Sequence, residues 1–197
     1  MPKRTLSAFL FVLLSSASLA TTVLAQGALP AGVKGEMLMF ITDAENKLSQ
    51  LAEAMPEGKY TWRPAKGVRS PAEVFMHVAA ANFGLPSFWG VKPPDGFDFN
   101  TYEKSLTRKA DIQKALAASF VHLKAALAAT SDEDLDKPTE FFGMKTTVRG
   151  GYLLVVSHVH EHLGQSIAYA RMNGVVPPWT AKQQEAEKAA TTKRPGM

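Results

Sequence analysis

Three of the five histidines of this chain lie within five positions, in the segment SHVHEHLGQ that spans residues 157–165. In an α-helix each residue turns the side-chain direction by about 100°, so His158 and His162 would lie about 40° apart on one face, one turn along. His160 would point to the opposite side. Two imidazoles on one helical face can hold a divalent metal ion, and a third nitrogen from a neighbouring helix would leave coordination positions open to water or substrate.

The candidates for the third nitrogen are His77 and His122. His77 lies among apolar residues of a predicted helix, where an ionisable side chain usually has a partner. The alternative for His77 is a core histidine whose hydrogen bonds are satisfied. His122 lies beside the apolar face of its helix, and we expect it to be a half-exposed surface residue. Beside His158 and His162, the sequence favours His77 as the third metal ligand.

Other polar residues near these histidines are candidates for orienting the ligands or binding substrate. Gln165 and Tyr169 continue the helical face of His162, and Glu73 precedes His77 by one turn. Glu73 could orient the imidazole of His77 or act as a base, and Gln165 could bind substrate or orient a ligand through its amide. No motif identifies the catalytic base.

The sequence His160-Glu161-His162 is similar to the start of the zincin motif HExxH. That motif requires a histidine at the position of Gly164, so the protease motif is absent. We expect His160 to be a surface or interface residue.

Helical spacing of apolar residues predicts an all-α domain of four helices, and no segment carries a strong strand signal. The second helix begins with Ser70, Pro71 and Glu73, which is the arrangement of a capping box with proline in the first turn. The apolar run from Tyr152 could form a buried strand, but its pattern continues to Gly174, which is too long for a strand. The predicted helices cover about residues 32–55, 71–84, 108–129 and 151–173.

The N-terminus has the composition of a secretory signal peptide. Lys3 and Arg4 form a basic region, an apolar stretch runs from Leu6 to Leu14, and small residues lead to Ala25, after which we predict cleavage. The alternative is a retained membrane anchor, which a short and Ser-rich stretch does not favour. We therefore expect an exported protein, periplasmic or extracellular, with no stable membrane insertion after cleavage.

The rest of the chain divides into a helical domain over residues 26–179 and a tail over 180–197, whose low apolar content predicts disorder. Within the domain, we expect residues 139–148 to be irregular. The 22 Lys and Arg residues exceed the 18 Asp and Glu residues only through the N-terminus and the tail, so the domain is formally neutral. We expect no nucleic-acid partner. The absence of cysteine excludes a thiol nucleophile and Cys-rich zinc sites.

Six aromatic residues lie in or beside predicted loops. They could close the ends of the core or line the mouth of the metal site, where an apolar lining would suit an aromatic or aliphatic substrate. They are Trp62, Phe88, Trp89, Phe97, Phe99 and Trp179.

The chain resembles the DinB/YfiT superfamily of metalloenzymes over nearly the whole predicted domain. The resemblance rests on the histidine in YTWRPAKGVRSPAEVFMHVAAAN and on the late segment HVHEHLGQSIAYARMNGVVPP. The family combines a second-helix histidine with an HxxxH that precedes Gly-Gln, a pattern matched by His77, His158, His162 and Gly164-Gln165. The resemblance implies an antiparallel four-helix bundle with crossover connections and a three-histidine site for zinc, nickel or a similar ion.

The resemblance does not determine the reaction, because the family is chemically diverse. We expect a metal-dependent hydrolase of a small molecule, in which the ion lowers the pKa of water. One alternative is a bundle that binds a metal or small ligand without catalysis, and another is an interaction protein whose histidines are only packed. A third is a thiol-dependent transferase, as in some family members, but their thiols are cytosolic and the predicted export disfavours it. Members of this family commonly form homodimers, which is a further expectation.

Overall fold

The computed structural model of the protein describes residues 32–192. The predicted signal peptide, residues 1–25, lies outside the described residues, as do the last five residues of the predicted tail. No helix within residues 32–192 is long and apolar enough to cross a membrane.

The described chain is mostly helical, as the apolar spacing predicts, and its four long helices end within a few residues of the predicted positions. The segment that follows Tyr152 is a helix rather than a strand. Two short 3-10 segments, Glu57–Lys59 and Leu85–Trp89, follow the first and second helices. The elements are α1 (Gly32–Ala54), α2 (Pro71–Gly84), α3 (Phe99–Tyr102), α4 (Lys109–Ala129), α5 (Asp132–Leu135), β1 (Pro138–Phe141), β2 (Met144–Thr147), α6 (Val148–Met172) and α7 (Pro178–Thr192).

The start of α2 is determined locally, as predicted. The Ser70 side chain accepts a hydrogen bond from the backbone N–H of Glu73, whose carboxylate accepts one from the backbone N–H of Ser70, and Pro71 occupies the first turn. These bonds satisfy backbone donors that the end of a helix leaves free. The capping box therefore sets where α2 begins, and with it the position of His77 two turns later.

The four long helices pack around one core in the order α1, α4, α2, α6, with α1 and α2 diagonal to each other. Lys34 at the start of α1 donates to the carbonyl of Thr130 just after α4, and Lys109 at the start of α4 donates to the carbonyl of Glu53 near the end of α1. These contacts show that α1 and α4 are antiparallel. The largest fully buried side chains of the core are Tyr60, Tyr152, Phe75, Phe120, Met37, Ile41, Leu48, Leu51, Met55, Met76, Ile112 and Leu116.

The helices α2 and α4 run in the same direction, so the bundle has the crossover connection that the resemblance implies but is not antiparallel throughout. Asn82 near the end of α2 donates to Ser119 in the second half of α4. Further along, Trp89 after α2 packs on Tyr152, whose hydroxyl lies 3.0 Å from that of Thr130 after α4. Two consecutive parallel helices require a connection that returns along the bundle. Residues 85–108, which include α3, form this crossover.

The connection between α4 and α6 contains a β-hairpin where the sequence predicts irregular structure. β1 and β2 pair antiparallel, with Phe141 opposite Met144. The two turn residues, Phe142 and Gly143, have φ angles of 50° and 79°, as in the type I′ turn that matches the twist of paired strands. The strands are only four residues each, too short to show a clear alternating pattern in the sequence.

The tail also differs from the prediction, because residues Pro178–Thr192 form the helix α7. None of its residues is buried, so apolar content did not indicate it. The segment is rich in Ala, Gln, Glu and Lys, which have high helix propensity, and Gln183 donates to Glu187 one turn away.

Two glycines of α6 provide a test of this packing. Gly151 is buried, and a Cβ atom there would lie 2.6–3.1 Å from three atoms of the Trp89 ring, whereas a Cβ atom at Gly164 would meet nothing within 4 Å. We predict that Gly151→Ala lowers the free energy of unfolding by about 1–3 kcal/mol. Gly164→Ala in the same helix should raise it by up to about 1 kcal/mol. Urea denaturation of both variants measures the difference, and equal effects would contradict the packing described here.

Candidate metal centre

The antiparallel contact between α2 and α6 brings three histidines together. His158 and His162 lie one turn apart on α6 with ring centroids 4.5 Å apart, and the ring centroid of His77 on α2 lies 5.0 and 4.7 Å from theirs. The Nε2 atoms of His77 and His158 are 3.1 Å apart. One ring nitrogen from each residue can be chosen so that all three lie within 4.8 Å of one another. The three imidazoles therefore converge on one point.

His77 is oriented by a carboxylate from the crossover connection. Its Nδ1 lies 3.0 Å from Oε2 of Glu103, so an Nδ1–H donates to the carboxylate and Nε2 keeps its lone pair. The guanidinium of Arg69 donates two hydrogen bonds to the same carboxylate, at 2.8 and 3.1 Å. Burial alone would raise the pKa of Glu103, but the hydrogen bond and charge of Arg69, together with His77, lower it below its usual value. Glu103 is therefore an ionised acceptor.

His162 is oriented by its own helix. It is 5 % exposed, and its Nδ1 donates to Oε1 of Gln165 at 2.8 Å. The Gln165 amide donates in turn to the hydroxyl of Tyr169 at 2.9 Å, and the Tyr169 ring packs edge-on against Trp62. This chain fixes the His162 tautomer that presents Nε2 towards the other two histidines.

Burial favours the neutral form of two of the imidazoles. Desolvation, followed by the proximity of His162 and His77, lowers the pKa of His158 to about 3. Desolvation also lowers the pKa of His77, aided by the charge of Arg69 and opposed by Glu103. Neutral imidazole is the form that binds a metal ion.

The donor set fits a divalent transition metal. Three neutral imidazole nitrogens suit zinc, nickel, copper or iron, whereas calcium and magnesium prefer oxygen ligands. Two of the three imidazoles already donate from Nδ1 to an acceptor, as metal-binding histidines usually do, and this bond holds the other ring nitrogen ready for the ion. The Nδ1 of His158 is buried with no hydrogen-bond partner among residues 32–192.

The other candidate residues lie elsewhere or have other contacts. His160 is on the opposite face of α6, where its Nδ1 donates to the carbonyl of Val156 and its ring packs edge-on against Phe40. His122 packs against Phe83, between α4 and α2 and away from the three histidines.

Glu73 does not orient His77, which corrects the expectation from their spacing. Its carboxylate binds the Arg63 guanidinium through two hydrogen bonds of 2.5 Å and caps α2. The hydrogen bond from Arg63 lowers the pKa of Glu73. The acidic partner of His77 is Glu103, which lies 26 positions away in the sequence. No local spacing rule connects two residues this far apart, and the sequence analysis did not identify Glu103 or Arg69.

Two openings of different character border the site. A polar cleft of about 670 Å³ is lined by Arg63, Arg69, Glu73, Glu103, Lys104 and Gln165, among others. An apolar cavity of about 330 Å³ is bordered by His77 and His158 and by the side chains of Leu85, Phe99, Phe142 and Leu154, among others. Phe99 was among the aromatic residues considered as a lining of the site, whereas Phe142 was not.

Comparison with known proteins identifies the fold. The family model described as the DinB superfamily matches residues 41–166. No curated protein matches the chain.

Similar solved structures share this architecture at low sequence identity. A DinB-like protein from Bacillus cereus is 20% identical with a TM-score of 0.64, covering 74% of this chain and 95% of that one. YfiT from Bacillus subtilis, described as a probable metal-dependent hydrolase with an unusual four-helix bundle topology, is 15% identical with a TM-score of 0.60, covering 72% and 88%. A mycothiol-dependent maleylpyruvate isomerase is 14% identical with a TM-score of 0.56, covering 66% and 59%. These TM-scores show a common fold, and at identities this low they show nothing beyond the fold.

The metal content of the purified protein tests the three-histidine site. We expect the purified chain to bind close to one equivalent of zinc or nickel, and the His77→Ala, His158→Ala, His162→Ala triple variant to bind none. A His122→Ala, His160→Ala variant is the matched control and should keep the metal. Elemental analysis measures the stoichiometry, and added metal should raise the Tm of the wild type and the control only. Metal retained by the triple variant would contradict the site.

The pH dependence of stability tests the lowered pKa values of two of the histidines. An unfolded histidine has a pKa near 6.5, whereas His158 and His77 titrate lower in the folded chain, so the unfolded state binds more protons below pH 6.5. The stability that they contribute is fully present above pH 6.5 and is lost as the pH falls towards 3. In EDTA, urea denaturation between pH 7.5 and 4.5 should show this decline. His158→Gln should flatten it, and His160→Gln should not; equal slopes would contradict the assignment.

Proposed function

Because this chain belongs to the DinB superfamily and gathers three imidazoles at one point, we propose that it is a divalent-metal-dependent hydrolase of a small molecule. The observation that supports this proposal most strongly is that His77, His158 and His162 present ring nitrogens within 4.8 Å of one another. Zinc or nickel is the proposed ion, in accord with the all-nitrogen donor set.

The ion, when bound, would act as a Lewis acid and lower the pKa of water. The protein residues hold and orient the imidazoles. Glu103 and Gln165 accept the Nδ1 protons of His77 and His162, which directs both Nε2 atoms to the same point. Arg69 keeps Glu103 ionised, so this acceptor remains available at neutral pH.

Glu161 is the proposed proton acceptor. Of the three carboxylates that border the site, Glu73 and Glu103 are bound by guanidinium groups. Glu161 borders the apolar cavity with His77 and His158, and it forms no ion pair within the described part of the chain. It lies one turn from His158 on α6, where it can take a proton from water without losing a structural contact.

A second candidate is thiol-dependent transfer, which the likeness in fold to the mycothiol-dependent maleylpyruvate isomerase favours. The chain contains no cysteine, so the thiol would come from a co-substrate. We favour hydrolysis because we also propose, from the basic and apolar N-terminus, that the protein is exported and so separated from cytosolic thiols. A homodimer remains a further proposal.

The test is turnover of a panel of esters and amides by the metal-loaded chain, with and without added thiol. We expect hydrolysis that EDTA abolishes and zinc or nickel restores, and that needs no thiol.

Glu161→Gln should lower kcat by about 10²-fold or more at unchanged metal content. Glu103→Gln should lower metal affinity or activity by about 10- to 100-fold. Glu140 is an exposed residue of β1, so Glu140→Gln is the matched control and should change neither kcat nor metal affinity.

Each contrary result has a distinct meaning. Turnover that requires thiol would favour the transferase. Bound metal without turnover on any substrate would favour a binding protein without catalysis. Hydrolysis that survives loss of all three histidines would contradict the proposal.

A further inference from the structure

The apolar cavity beside the histidines has walls from four separate parts of the chain. His77 borders it from α2, Leu154 and His158 border it from α6, Phe99 comes from the crossover, and Phe142 comes from the tip of the hairpin. Residues this far apart in sequence form one apolar wall only through the fold. The cavity lies directly against two of the three converging imidazoles.

Phe142 has neither a favourable backbone conformation nor a buried ring. It occupies the first position of the hairpin turn with a φ of 50°, a left-handed conformation that favours Gly, Asn or Asp and is uncommon for a bulky residue. Its residue is 74 % exposed, so core packing does not compensate for this conformation. Its ring contacts Phe88, with centroids 5.0 Å apart, and borders the cavity. A costly conformation that places an exposed apolar ring beside a site indicates a functional constraint.

Phe99 reaches the same cavity from the crossover. A Cβ atom at Gly84 would lie 2.3 Å from Cδ2 of Phe99, so glycine at the end of α2 is what allows this ring to lie close to the helix. Phe99 is also 40 % exposed. Two partly exposed phenylalanines from two different connections thus converge at one opening, and each depends on a particular glycine or turn.

The residues that line the cavity determine which chemical groups it can bind. Leu85, Phe99, Phe142 and Leu154 present carbon atoms, and Glu161 is the one charged carboxylate among the described residues that border the cavity. An apolar cavity of about 150 Å³ holds benzene, so about 330 Å³ has room for a phenyl group or a short alkyl chain. The polar cleft on the other side of the site offers space for a polar group and for water.

We propose that this cavity binds the apolar group of the substrate, a phenyl group or a linear chain of about four to six carbons, and that Phe142 and Phe99 determine specificity for it. The group that reacts would lie at the three imidazoles. This inference rests on the proposed metal-dependent function and names its substrate class.

Alkyl hydroxamates of increasing length test the proposal, because their oxygen atoms bind a metal ion while their chains differ only in carbon. The full chain is loaded with zinc, its metal content is measured, and the Kd values of acetohydroxamate, butyrohydroxamate, hexanohydroxamate and phenylacetohydroxamate are determined by calorimetry. We expect affinity to rise by about fourfold for each methylene buried.

The variants assign the effect to the cavity. Phe142→Asn keeps a turn residue that favours this conformation, and it should flatten the dependence on chain length while leaving the Kd of acetohydroxamate unchanged. Phe99→Ala should flatten it as well. Phe40→Asn is the matched control, since Phe40 is a 47 % exposed phenylalanine on α1 that packs against His160 on another face; it should keep the wild-type dependence.

The contrary outcomes are distinguishable. A zinc-loaded wild type that binds all four hydroxamates equally would overturn this inference and leave the metal-dependent function in place. So would Phe142→Asn and Phe99→Ala variants that keep the chain-length dependence of the wild type. A protein that binds no metal would overturn both.

Discussion

The parallel course of α2 and α4 is the constraint on which the rest of the site depends. Two consecutive helices that point the same way cannot be joined by a short turn, so the chain must return along the length of the bundle. This return passes the face where α2 meets α6, and it carries Phe99 and Glu103 to that face. The helices supply three imidazoles, and the crossover supplies the carboxylate that orients one of them. A simple up-and-down bundle would have no segment at this position.

The electrostatics of the site follow from the pairing of Arg69 with Glu103. A lone carboxylate beside His77 would favour its protonated form, which cannot bind a metal. Arg69 offsets that charge, and its own field lowers the pKa of His77. The carboxylate therefore accepts the Nδ1 proton without drawing a second proton onto the ring. The Arg69–Glu103 pair therefore orients His77 and leaves it neutral. For His162 an uncharged acceptor on the same helix, Gln165, accepts the Nδ1 proton.

The parts of this structure that local rules determine could be predicted from the sequence, and the parts that depend on tertiary contacts could not. The shared face of His158 and His162 follows from the helical period, and the start of α2 follows from its capping box. Glu73 illustrates the limit of such rules, because it is correctly spaced from His77 and yet binds Arg63. The same limit applies to Glu103, whose contact with His77 arises from the crossover, and to α7, which is helical without a buried face.

The division of the site between helices and connections explains why the family alone does not determine the reaction. The three histidines lie on α2 and α6, whose packing is maintained by the core, and from the connections only Glu103 and Arg69 are needed to orient one of them. Two side chains of the cavity wall, Phe99 and Phe142, come from the crossover and the hairpin, where residues that do not orient a histidine can change. Phe142 shows this separation, since its ring packs on Phe88 and Phe141 and on no residue that orients a histidine, and its conformation is unfavourable for folding alone. A bundle with the same histidines and Glu103, but with other residues in place of Phe99 and Phe142, would keep the proposed metal site and accept a different substrate.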